Sequence, residues 1–187
     1  MADSGFTSFL AGAFTTVLGA TLVMIWDFYK IHKDTIDRET KILKAVRDEV
    51  ITNQFNAEIN LKRLTRDIDA RTRENKDREI IEPIIPFRDE MWTLAKLNFS
   101  QDFLNYGFLD IAKISSDIDD INEISRSREN YRLMKASFTG WNERVIKYDE
   151  ILLTQILLLS LKLSDLRQKL EQNIIRIKAD EAGAYYA

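Results

Sequence analysis

The chain has 187 residues, 45% apolar and 30% charged, with a net charge of −3. That near balance gives no reason to expect nucleic acid as a partner. It has no cysteine, which removes disulfides, thiolate nucleophiles and cysteine-bound zinc or iron–sulfur centres. Six glycines and two prolines favour long helices over a many-turned β fold.

Taken in order, residues 1–5 form a short leader without Lys or Arg. Residues 6–26, Phe6 to Trp26, carry no charge over twenty-one positions. A bilayer core about 30 Å thick needs about 20 such residues in a helix. Thr7, Ser8, Thr15, Thr16 and Thr21 dilute the hydrophobicity. A cleaved signal peptide is the rival reading. It calls for a basic start and a small-residue cleavage site, whereas this run ends in Trp26-Asp27-Phe28-Tyr29, an interfacial aromatic belt. Lys30, Lys33, Arg38, Lys41, Lys44 and Arg47 all follow the span. The positive-inside rule therefore expects the N-terminus outside and the bulk of the chain in the cytoplasm, on the inner face of the cell membrane. Gly5, Ser8, Gly12, Thr15 and Gly19, spaced three, four, three and four, make a small-residue stripe where another helix can approach closely.

Residues 27–178 read as a cytosolic helical bundle. No Pro or Gly occurs between Asp27 and Glu82, and Ile36, Leu43, Val46, Val50, Ala57, Leu61, Leu64 and Ile68 recur at helical spacing. The pairs Asp37–Lys41, Glu58–Lys62, Asp67–Arg71, Asp69–Arg73 and Glu74–Arg78 place acid four residues before base. The run 69–79 alternates in sign and reads as a solvated helical tip. His32, the single histidine, reads as an interfacial residue. Pro83 and Pro86 are expected to end the first helix, and Pro86 to start the next. Phe87, Met91, Leu94 and Leu97 then share a face, with Trp92 beside it. Residues 98–107 suggest a kink or loop. Ile111, Ile114, Ile118, Ile121 and Ile124 mark a further helical pattern. The acidic group Asp117, Asp119, Asp120 and Glu123 lacks both the glycine and the spacing of a calcium loop, and reads as a solvated face. A turn is expected over 134–140. From Trp141 to about Lys178, Leu152, Ile156, Leu159, Leu163, Leu166, Leu170, Ile174 and Ile177 form a seam at coiled-coil-like spacing. Leu153, Leu157, Leu158 and Leu161 make the same helix apolar on most sides. It is too short in apolar length and too polar for a second span, and reads as the central helix. Residues 179–187 read as a flexible tail.

These readings give an all-α chain: one N-terminal transmembrane helix, then an antiparallel up-down-up bundle of long helices. Trp141 is expected at the bilayer end and the tip at 69–86 farthest from it. The stretch Pro86-Phe87-Arg88-Asp89-Glu90-Met91-Trp92-Thr93-Leu94-Ala95-Lys96-Leu97 resembles a pattern in uncharacterised prokaryotic single-pass membrane proteins with a Trp-containing helical cytosolic domain. The resemblance implies the same layout and no particular activity.

The sequence assigns no catalytic, cofactor-binding or metal-ligating residue. The glycines are scattered, so no phosphate-cradling loop is present, and His32 has no Ser and Asp partners to serve. The expected role is a non-enzymatic adaptor, scaffold or accessory subunit of a membrane complex. Its partners would be the lipid bilayer and either a second copy or another membrane protein. A sensing module relaying a signal through the juxtamembrane helix is the alternative. A stalk-like subunit ranks lower, because the prolines and the folded-back pattern depart from one unbroken rod.

Overall fold

The computed structural model describes residues 4–73, 82–90, 93, 108–133 and 141–184. Among them are three long helices and no strand: α1 (Ser4–Arg73), α2 (Phe108–Leu133) and α3 (Trp141–Ala184). The expected helix 91–97, the expected kink at 98–107 and the expected turn at 134–140 lie outside the described residues, Thr93 excepted. Compactness divides the chain into two units, Met1–Lys41 and Ile42–Ala187.

Unit 1 is helical from Ser4 onward. Phe14, Val17, Leu22, Val23, Met24, Ile25 and Trp26 are all exposed. These exposed side chains leave the run apolar toward its surroundings. α1 is the one helix among the described residues long and apolar enough to cross a membrane, and its apolar window is unburied. Trp26 and Tyr29 follow, their ring centroids 6.1 Å apart.

Unit 2 has a continuous core. α1 supplies Leu43, Val46, Val50, Ala57 and Leu64; α2 supplies Ile111, Ile114, Ile118 and Ile121. From α3 come Leu152, Ile156, Leu159, Leu163, Leu166, Leu170 and Ile174. The first six of these α3 residues are at most 1% exposed. Each Leu or Ile so buried contributes roughly 1.5–3 kcal/mol. Helix α3 does not stop at Lys178 but runs through Ala184, so the expected tail is helical to that point.

The Pro-rich stretch is where the chain departs from expectation. Pro86 does not open a helix. Residues 82–89 are non-helical, and the first helical residue is Glu90, where Thr93 N–H bonds Asp89 C=O at 3.3 Å. The segment lies along α1 as an extended strap. Among the described residues no strand neighbours it, so its peptide groups need partners from side chains. Asparagines supply them. Asn60 accepts from Ile85 N–H at 2.9 Å and donates to Ile85 C=O at 2.8 Å. Asn53 does the same to Arg88, at 3.0 and 2.8 Å. Asn122, from α2, does it to Phe87, at 3.0 Å both ways. Asn56 adds a longer bond to Pro86 C=O, and Arg63 donates to Pro83 C=O at 2.6 Å. Phe87 is thereby held in the core, 4% exposed.

These contacts fix directions within unit 2. Asp67, Asn60 and Asn53 meet Glu82, Ile85 and Arg88 in turn, so the strap runs back along α1. Asn122 lies level with Phe87, and Arg128 level with Glu82 and Asp67, so α2 runs parallel to α1. Asp110, Asp117 and Arg128 meet Lys169, Lys162 and Asp149, so α3 is antiparallel to α2. The expected up-down-up order of three helices is therefore corrected. Within unit 2 the strap runs against α1, α2 runs with it, and α3 runs against it. Trp141 accordingly sits beside Arg71 in the last turn of α1, its ring 5.3 Å from the guanidinium carbon, and not at the end where α1 enters the bundle.

Asn60→Ala removes both bonds to Ile85 and leaves a peptide N–H and C=O without partners. The expected cost is about 2–4 kcal/mol, read as a lower midpoint in denaturant with the helical signal of the folded state unchanged. A change below about 0.5 kcal/mol, ordinary for an exposed residue, would show that the strap does not need the carboxamide.

Candidate functional site

Three features are candidates for function: a buried charge cluster, the outer face of α3, and the small-residue stripe in unit 1.

The cluster gathers four charged side chains from three helices. Arg128 on α2 donates through Nε to Asp149 on α3, through Nη2 to Asp67 on α1 at 2.8 Å, and through Nη1 to Glu82 C=O at 2.9 Å. Asp67 also accepts from Glu82 N–H at 3.1 Å. Arg71 lies 3.9 Å from Asp149 Oδ2, an ion contact too long for a hydrogen bond, and donates to Asn142 at 2.9 Å. All four side chains are at most 5% exposed, and Arg128 and Asp149 are at most 1%. Two guanidinium and two carboxylate groups cancel, which is the condition for burying them at all. Burial pushes the Asp149 carboxyl above its ordinary 3.8, against the opposing pull of Arg128 and Arg71. Asp67 is pushed up for the same reason, again opposed chiefly by Arg128. Burial lowers Arg71, which Asp149 and Asp67 counteract. Enclosed in this way, the groups are placed to lock α1, the strap, α2 and α3 in register. Asp67–Arg71, expected as a solvated helix pair, is part of this lock. Glu58–Lys62, expected alongside it, forms at 2.6 Å on an exposed face.

The second feature faces outward. At about 100° per residue, Leu157, Leu158 and Leu161 lie opposite the Leu152–Leu170 seam, and each is more than half exposed. Ile151 is on the same side and 37% exposed. Beside this face a recess of 210 Å³ opens between α2 and α3, lined by Asp117, Asp120, Gln155, Leu158 and Lys162 among others. Lys162 reaches across it to Asp117 at 2.6 Å. Among the described residues, no group of three or more His, Asp or Glu is placed to hold a metal ion.

In unit 1, Gly5, Ser8, Gly12, Thr15 and Gly19 all lie on α1. Their azimuths fall within about 80° at 3.6 residues per turn. Gly12, Thr15 and Gly19 are exposed, and a Cβ built on either glycine meets nothing within 4 Å. The stripe is therefore open along its described part.

Sequence reasoning missed the asparagines and Arg128. Their signal was present: Asn53, Asn60 and Asp67 recur at seven-residue spacing, in step with Val50, Ala57 and Leu64. Polar residues on the core side of a helix ask for a buried partner.

No protein-family model, no curated protein and no solved structure matches the chain.

Arg128→Met strands two buried carboxylates beside Arg71 alone. The expected loss is about 3–5 kcal/mol, measured by chemical denaturation at neutral pH. The cluster also has a pH signature. Because Asp67 and Asp149 are raised in the folded state, their contribution to stability is fully present below the ordinary 3.8 and is lost as pH rises through their elevated folded values. Unfolding free energy measured against pH should carry that downward component in the wild type. In an Asp67→Asn, Asp149→Asn variant the component should vanish, and an unchanged difference profile would count against the assignment.

Proposed function

We propose that this chain is a non-enzymatic, membrane-anchored helical adaptor, scaffold or accessory subunit of a membrane complex. The observation that carries the reading is α1. One helix, Ser4–Arg73, holds the exposed apolar span and then contributes Leu43, Val46, Val50, Ala57 and Leu64 to the core of unit 2. The same helix thus carries residues of both units, the apolar run in the first and part of the core in the second. The basic residues from Lys30 to Arg47 support an N-terminus outside and a bundle in the cytoplasm. The open stripe on α1 and the outer leucines of α3 support a partner, either a second copy or another membrane protein. The role calls on no cofactor and no nucleic acid.

A sensing module is the second reading, favoured by one observation. Asp67 and Arg71, in the last two turns of α1, are tied to α2 and α3 through Arg128 and Asp149. A displacement of that end of α1 would reach both helices.

Both readings require the span and the topology. The chain should stay with the membrane after an alkaline wash, and a reporter fused after Ala187 should be active only in the cytoplasm. Mild crosslinking in native membranes followed by mass spectrometry should then return the same partner reproducibly. Release by the alkaline wash, or a reporter active only outside, would remove the membrane-anchored cytoplasmic role.

A further inference from the structure

We propose that the outer face of α3 binds the same face of a second copy of this chain, in antiparallel orientation. This rests on the adaptor reading only in supposing that a partner exists, and it names that partner and its surface.

The face is a second heptad stripe on α3, set apart from the core seam. Its successive positions are Lys147, Ile151, Thr154, Leu158, Leu161 and Asp165, with Leu157 alongside. All are exposed. An apolar centre is thus closed at one end by a cation and at the other by an anion. That asymmetry decides the orientation. A parallel pair would stack Lys147 on Lys147 and Asp165 on Asp165 at seam positions, where like charges oppose association. An antiparallel pair sets Lys147 against Asp165 of the partner copy, Ile151 against Leu161, and Thr154 against Leu158, each layer occurring twice by symmetry. Leu157 then meets Leu157 of the partner copy across the flank. The register follows from the same charges. A slip of one heptad one way puts Lys147 against Leu158; a slip the other way puts Thr154 against Asp165 and Ile151 against Gln168. Only the middle register pairs apolar with apolar at Ile151 and opposite charges at both ends. Among the described residues the core lies on the other side of α3, and the polar contacts of this stripe stay on its own helix. Thr154 donates to Glu150 C=O, and Asp165 pairs with Lys169 one turn on, an exposed contact that leaves the carboxylate open to a second cation.

The chain has no cysteine, so introduced ones report cleanly. Full-length protein in detergent, where two spans need not share a bilayer, allows either orientation. Under mild oxidation Leu157→Cys should form a disulfide with itself. Ile151→Cys should form one with Leu161→Cys when the two variants are mixed, and neither should do so alone, because copies of the same site lie about 15 Å apart along the axis. Lys147→Asp, added to both variants, should reduce the mixed crosslink several-fold, and Asp165→Lys added to it should restore the yield. These sites are exposed, and circular dichroism should show unchanged helicity. Self-crosslinking at Ile151→Cys or Leu161→Cys would mean a parallel pair. No crosslink at any of the three would mean that another protein or a lipid surface covers the face. Either result overturns the proposal.

Discussion

The fold of unit 2 depends on how an extended segment between helices satisfies its own peptide groups. Residues 82–88 cannot form a helix across Pro83 and Pro86, and among the described residues no strand lies beside them to complete a ladder. Asn53, Asn60 and Asn122 each present a carbonyl and an amide NH2 to one strap residue, in the geometry a neighbouring strand would offer. The strap can therefore run against α1 without leaving those groups bare. The strap runs against α1, and α2 runs parallel to α1. Arg128 closes the upper end, binding Glu82 C=O and both buried carboxylates together.

Apolar and polar parts of the interior divide the work. The α3 seam against α1 and α2 supplies most of the burial, and it would tolerate a different arrangement of helices of similar volume. The buried charges and amides would not, because each group left unpaired costs far more than a lost methyl contact in a plastic core. The polar set specifies one arrangement among several that the leucines would accept.

Much of this was legible in the sequence, and the remainder failed for physical reasons. The uncharged run from Phe6 to Trp26 lies within one helix and is exposed, while the Leu152–Leu170 seam is a periodic apolar signal and is buried as its spacing indicates. Phe87 was read as the first residue of a helical face; it is buried, but from an extended backbone. Asp67–Arg71 has the spacing of a surface pair, and i,i+4 spacing is indifferent to whether the face looks at water or at Arg128. The direction of α3 was misplaced because 86–133 reads as one returning leg with a kink, whereas the strap runs against α1 and α2 runs with it, which makes two passes of one. The outer stripe of α3 was visible as excess leucine, but the opposed charges of Lys147 and Asp165 become informative only once the seam is assigned to the core.

Carboxamides stand in for a neighbouring strand along residues 85–88, and amide hydrogen exchange tests this most directly. The amides of Ile85, Phe87 and Arg88 should be as protected as those of Leu159 and Leu163 in the middle of α3, although they belong to no helix or sheet. Exchange at these three positions as fast as at an unprotected loop would contradict it.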